Sequence, residues 1–215
     1  SLDPFCPAGI ETELQDSILK LIELGFKTFI ANNIAHIAML KGKGVNVIAG
    51  PYLYTFNRWA VSWLENQNIG AFISPFENSR HNLEDCYESQ FRQRVLVPIF
   101  AYPALFRIRF KLPNDYNFSY VSDKEGVSFI VNSTNEGSVV MPESPFSILD
   151  KTDFLASIGF KRVLIDFSKI KVQKTFFKKV YQALLKKQML PGTFRFIVDI
   201  LLPSSTKSKV VDSAP

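Results

Sequence analysis

The chain has 215 residues, 47% of them hydrophobic, and its 25 Lys and Arg against 20 Asp and Glu give a formal charge of +5. That length suits one substantial core. Cys6 and Cys86 lie far apart with no C-x-x-C partner, which excludes a disulfide framework and a zinc site. No apolar run reaches the ~18 residues of a spanning helix, and no signal-type core opens the chain, so a soluble protein of a reducing, cytoplasmic compartment is expected, with no membrane contact.

Residues 11 to 24 place Leu14, Ile18, Leu21 and Ile22 on one stripe behind acids in the first turn, and Gly25 stops this helix. Phe26 to Ala31 reads as the first strand, Asn32 to His36 as a turn into a short helix, and Val45 to Ala49 as a second strand. A helix over Arg58 to Asn66, a strand over Ala71 to Ser74 and a helix over Arg80 to Gln90 continue the alternation. Arg94 to Ala101 is apolar and β-like, with Pro98 arguing for an edge position or an early strand end. Such alternation marks a parallel sheet or barrel.

From Phe106 to Met141 short runs are divided by Pro113-Asn114-Asp115, Asp123-Lys124-Glu125-Gly126 and Asn135-Glu136-Gly137, the pattern of antiparallel hairpins. A helix over Ser147 to Ile158, a strand over Phe160 to Phe167, a lysine-rich helix and a strand-like run from Thr193 to Leu202 follow. The polar tail after Pro203 is expected to stay unpacked. Four or five β/α units fall short of the eight of a closed barrel. The expected fold is therefore α/β: a half TIM-like β/α barrel (1–105 and 143–202), with inserted β-hairpins (106–142) and a disordered tail (203–215).

In parallel α/β folds ligands sit at the carboxyl ends of strands, which points to Asn57 and Glu77. Glu77, beside Phe76, is the acid/base candidate, set against a helix first-turn role or a salt bridge to Arg80. His36, just past a strand end, suits a general base, although a lone His among Ile and Ala is more often structural. Ser74 and Cys6 lack the local patterns of nucleophiles. Arg107 and Arg109 alternate near Tyr102 and would hold a carboxylate or phosphate, or else lie along the surface with their stems covering apolar groups. The lysines from Lys169 to Lys187 form either a solvated helix face or a nucleic-acid contact, the former favoured.

Four segments in order, Leu53-Tyr54-Thr55-Phe56-Asn57, Ser74-Pro75-Phe76-Glu77, Asp123-Lys124-Glu125-Gly126 with Phe129, and Pro145 to Leu149 through Gly159 to Asp166, resemble the U32 peptidase (collagenase-like protease) family. The resemblance covers roughly residues 1–170. It implies the C-terminal part of a barrel and a peptidase-type hydrolase whose mechanism assigns no nucleophile; by location alone, Glu77 and His36 are the catalytic candidates and Asn57, Tyr102, Arg107 and Arg109 the substrate-binding ones. Many family members carry iron–sulfur cysteines that begin with a Cys-Pro pair. Here that position is Tyr102-Pro103 and no cysteine follows Cys86, so no cluster, and no other cofactor or metal, is expected. The expected partners are a peptide or protein substrate and either a second copy or the remainder of a longer chain. A non-catalytic domain that pairs with another barrel half is the alternative function.

Overall fold

The computed structural model describes residues 1–109, 119–124, 126–134 and 137–194. The turns expected at 113–115, Glu125 and 135–136, most of the strand expected over 193–202, and the tail lie outside them.

Helix α1 (Glu11–Glu23) has Glu11 and Glu13 in its first turn and Lys20 in its last, which complements the helix dipole. Gly25, at φ 95°, turns the chain out of it. There follow β1 (Thr28–Ala31), α2 (Ile34–Leu40), β2 (Asn46–Ala49), a 3-10 turn over Pro51–Leu53, α3 (Arg58–Asn66), β3 (Ala71–Ile73), α4 (Arg80–Cys86), α5 (Ser89–Arg92) and β4 (Val95–Ala101). Strands β5 (Phe106–Ile108), β6 (Tyr120–Ser122), β7 (Ser128–Thr134) and β8 (Gly137–Pro142) come next, then β9 (Phe146–Ser147), α6 (Thr152–Ser157), β10 (Arg162–Ile165) and α7 (Lys174–Lys186).

The result is a mixed α/β fold with two sheets. One runs in the order β1-β2-β3-β4-β10 with every neighbouring pair parallel, and β9 joins β4 antiparallel at its end. The other, β5-β8-β7-β6, is antiparallel and is inserted between β4 and β9. Helices cover one face of the parallel sheet. Phe29, Ala49, Phe72, Val95, Val97 and Ile99 are buried there against Ile18, Val61, Leu64, Leu83, Leu155 and Val180. Burying each large side chain contributes about 1.5–3 kcal/mol, so this layer carries most of the driving force. The strand pairing sets Ile30 opposite Ile48, Ile73 opposite Leu96, and Leu164 opposite Pro98, all on the other face. On that face Ile30, Ile48, Leu96 and Leu164 are only half-buried.

Three expectations are corrected. Pro98 lies inside an interior strand, not at an edge. Ser74 N–H donates to Leu96 C=O, and the next rung would need an N–H from Pro98, so β3 stops at Ile73 while β10 shifts register past Leu164. The helix expected over 80–90 breaks at Tyr87, whose extended backbone sends a fully buried ring into the core. The helix expected over 147–158 shrinks to α6 because Phe146 and Ser147 pair with Ala101 and Phe100. Among the described residues, no helix is long and apolar enough to cross a membrane.

Candidate ligand-binding site

The parallel strands end along one rim. Asn32 follows β1, Tyr52 follows β2, Phe76 follows β3, Tyr102 follows β4 and Asp166 follows β10, and together they border a cavity of about 380 Å³ floored by Ile30, Ile73 and Leu164. A larger cavity of about 670 Å³ adjoins it on the α3 side and shares Asn32 and Tyr52.

Residues 1–5 lie across this rim. Leu2 N–H donates to Ile30 C=O at 3.0 Å, and Asn32 Nδ2 donates to Leu2 C=O at 2.8 Å and Ser1 Oγ at 3.0 Å. Asn32 Oδ1 is buried without a hydrogen-bond partner among the described residues and rests against Gly50, where a Cβ would stand 1.8 Å from it. Only glycine allows that approach. Asp3 accepts both arms of the Arg107 guanidinium at 2.6 and 2.7 Å, and Arg109 lies over the Phe5 ring at 4.8 Å.

Each residue singled out in the sequence has a definite place. His36 is fully buried; its Nδ1 accepts the Asn32 backbone N–H at 3.2 Å, which puts the neutral ring's proton on Nε2, an atom without a partner among the described residues. Burial lowers its pKa, opposed by the charge of Asp3. Asn57 is exposed and caps α3, its Oδ1 accepting Ala60 N–H at 2.9 Å. Glu77 is exposed, and Arg80 pairs instead with Glu84 at 3.2 Å. Tyr102 is half-buried, lies edge-on to Phe100 and has its pKa raised by burial. Arg107 and Arg109 both border the larger cavity, and neither lines the rim cavity.

The residue to which these charges converge is Tyr52, which the sequence reading passed over. Burial raises its pKa first, Arg107 lowers it, and Tyr54, Glu77 and Asp166 raise it further, so carboxylates from two strand ends and a guanidinium all act on one phenol. The available signal was its place directly after β2. Asp3 and Trp63, also overlooked, carry no local motif at all.

Three of the chain's polar groups have defined surroundings. Ser74 Oγ accepts from Asn78 and donates to Pro75 C=O, burial pushes the Cys86 thiol up to about 11, and His36 is sealed from both cavities. Among the described residues no three His, Cys, Asp or Glu side chains gather as a metal site. The lysines of α7 are exposed, and Lys187 pairs with Asp153 at 2.6 Å.

Fold and site thus define an α/β protein with a cavity at the carboxyl ends of a parallel sheet. No family model and no curated protein matches the chain. The crystal structure of the spore cortex-lytic enzyme SleL from Bacillus megaterium QM B1551 is a weak structural neighbour, 10% identical, with a TM-score of 0.35 over 87% of this chain and 55% of SleL. The chain therefore spans about half the length of that structure, and the likeness carries no argument about activity. The expected U32 peptidase kinship is corrected accordingly, since no family model supports it. The motifs that suggested it have local work to do: Asn57 caps a helix, Ser74 anchors the Asn78 turn, and Asp123 accepts Val127 N–H at 2.9 Å.

Proposed function

We propose that this chain is a non-catalytic pairing domain, one half of a β/α barrel whose open side is covered by a complementary β/α half. The observation that carries the reading is the unequal burial of the two sheet faces. The helix-covered face is closed, whereas Ile30, Ile48, Leu96 and Leu164 on the other are only half-buried. A barrel interior fills such a face with side chains from opposing strands.

The β10 edge supports the same reading. Val163 is 37% exposed, and the neighbouring α7 leaves Phe177, Tyr181 and Leu185, spaced four apart on one stripe, at least half exposed. A further strand beside β10 and a helix beside α7 would bury that stripe.

The test is the mass of the chain in solution together with uptake of an apolar dye. The expected result is either self-association or a monomer that binds the dye, with Ile48→Glu and Leu164→Glu dissociating the former or abolishing dye binding by the latter. A monodisperse monomer that takes up no dye overturns the proposal.

A further inference from the structure

The larger cavity has a chemistry of its own that does not rest on the pairing reading, because its walls come from α3, the turn after β2, residues 4 and 5, and β5. Two features set it apart from ordinary surface. Its rings are open to solvent: Tyr54 is 53% and Trp63 46% exposed, with Ile34 beside them at 62%. Tyr54 also holds a left-handed backbone, φ 48°, that a bulky side chain rarely adopts, and its ring stacks on Phe56 at 5.8 Å and meets Tyr52 edge-on at 6.5 Å.

The second feature is charge. Asp3 offsets Arg107 through both of its guanidinium arms. Arg109 lies over the Phe5 ring, and among the described residues no acid or hydrogen-bond acceptor engages it. Among the described residues its N–H groups are therefore left for a ligand while the Phe5 ring backs the guanidinium, an arrangement that suits a planar two-oxygen acceptor. One guanidinium with no acid on it among the described residues matches a carboxylate of charge −1 better than a phosphate, which carries more charge and a third oxygen.

We propose that this cavity binds an aromatic ligand bearing a carboxylate, its ring against Tyr54 and Trp63 and its carboxylate on Arg109. A volume of about 670 Å³ admits more than one ring, so either a free aryl acid or a peptide ending in an aromatic residue meets the description.

Trp59 and Trp63 are the chain's two tryptophans, and Trp59 borders a different cavity, so Trp59→Phe leaves Trp63 as a sole reporter inside the site. Its fluorescence is titrated with N-acetyl-phenylalanine, with N-acetyl-phenylalaninamide, and with acetyl-Gly-Gly-Gly-Phe. The acid is expected to give a saturable change at a concentration roughly 10-fold or more below the amide, the difference made by a hydrogen bond to a charged group. Arg109→Gln, at an exposed position, is expected to erase that difference and leave the amide unchanged. Tighter binding of the tetrapeptide assigns the site to a peptide end, and equal binding to a free acid. No saturable change with any probe, equal binding of acid and amide, or tighter binding of adenosine monophosphate than of the acid overturns the proposal.

Discussion

Asp3 and Arg107 meet in a two-pronged ion pair across 104 residues of sequence, tying the segment along β1 to the inserted antiparallel sheet. Because Asp3 is half exposed, such a pair contributes at most about 1 kcal/mol to global stability. Its effect is expected to be local. In Arg107→Ala the Leu2 amide, bonded to Ile30, should exchange with deuterium several-fold faster while the core strands keep their protection, as read by hydrogen-exchange mass spectrometry. Uniform acceleration across the chain would contradict this.

Gly50 and Asn32 form a tighter constraint. A methyl group at position 50 would stand 1.8 Å from Asn32 Oδ1 and 2.9 Å from Ile30 Cγ2, so Gly50→Ala should cost about 1–3 kcal/mol in urea unfolding. Asn32→Ala removes the obstructing oxygen but also two hydrogen bonds, to Ser1 and Leu2. The double variant is expected to be less unstable than the sum of the singles; strict additivity would show that the two residues do not oppose each other.

Acid should destabilise the fold through His36. Burial holds its folded pKa below the ordinary value, so the unfolded chain takes up the proton first. Stability is therefore complete above about 6.5, the unperturbed histidine value, and declines as the pH falls below it. His36→Gln is expected to flatten the urea midpoint between roughly pH 7 and 5. An unchanged slope would remove His36 as the cause.

The two thiols should separate by reactivity. Cys86 is buried with its pKa pushed up to about 11, whereas Cys6 is partly exposed. At mildly alkaline pH a disulfide reagent is expected to modify Cys6 alone in the folded protein and both thiols in denaturant. Fast labelling of Cys86 without denaturant would mean that the α4 region opens readily.

What the sequence disclosed was local. The helix over Arg58 to Asn66 matches α3, yet Asn57, which caps it, was read only as a site residue, because a helix cap and a strand-end ligand call for the same side chain after a strand. Pro98 was misplaced since its position depends on where β3 ends, a fact about another segment. The shortened α6 likewise reflects Phe146 pairing with Ala101, a contact 45 residues distant that no periodicity encodes. At the site, Arg107 was visible as an alternating arginine, but its engagement by Asp3, and therefore which of the two arginines has no acid on it among the described residues, was not.

The sequential order of β1 to β4 also bears on how the chain acquires its structure. Each of these strands finds its neighbour after a short crossover, so this part is expected to form early. Strand β10 must instead reach β4 across the whole inserted sheet, with Arg162 beside Leu96. Closure entropy grows only logarithmically, so doubling that insertion would add about 0.6 kcal/mol to the closure cost. The insertion between β4 and β9 is thus where this fold tolerates evolutionary growth or replacement, whereas added length between β1 and β4 would delay the step on which the rest of the sheet is assembled.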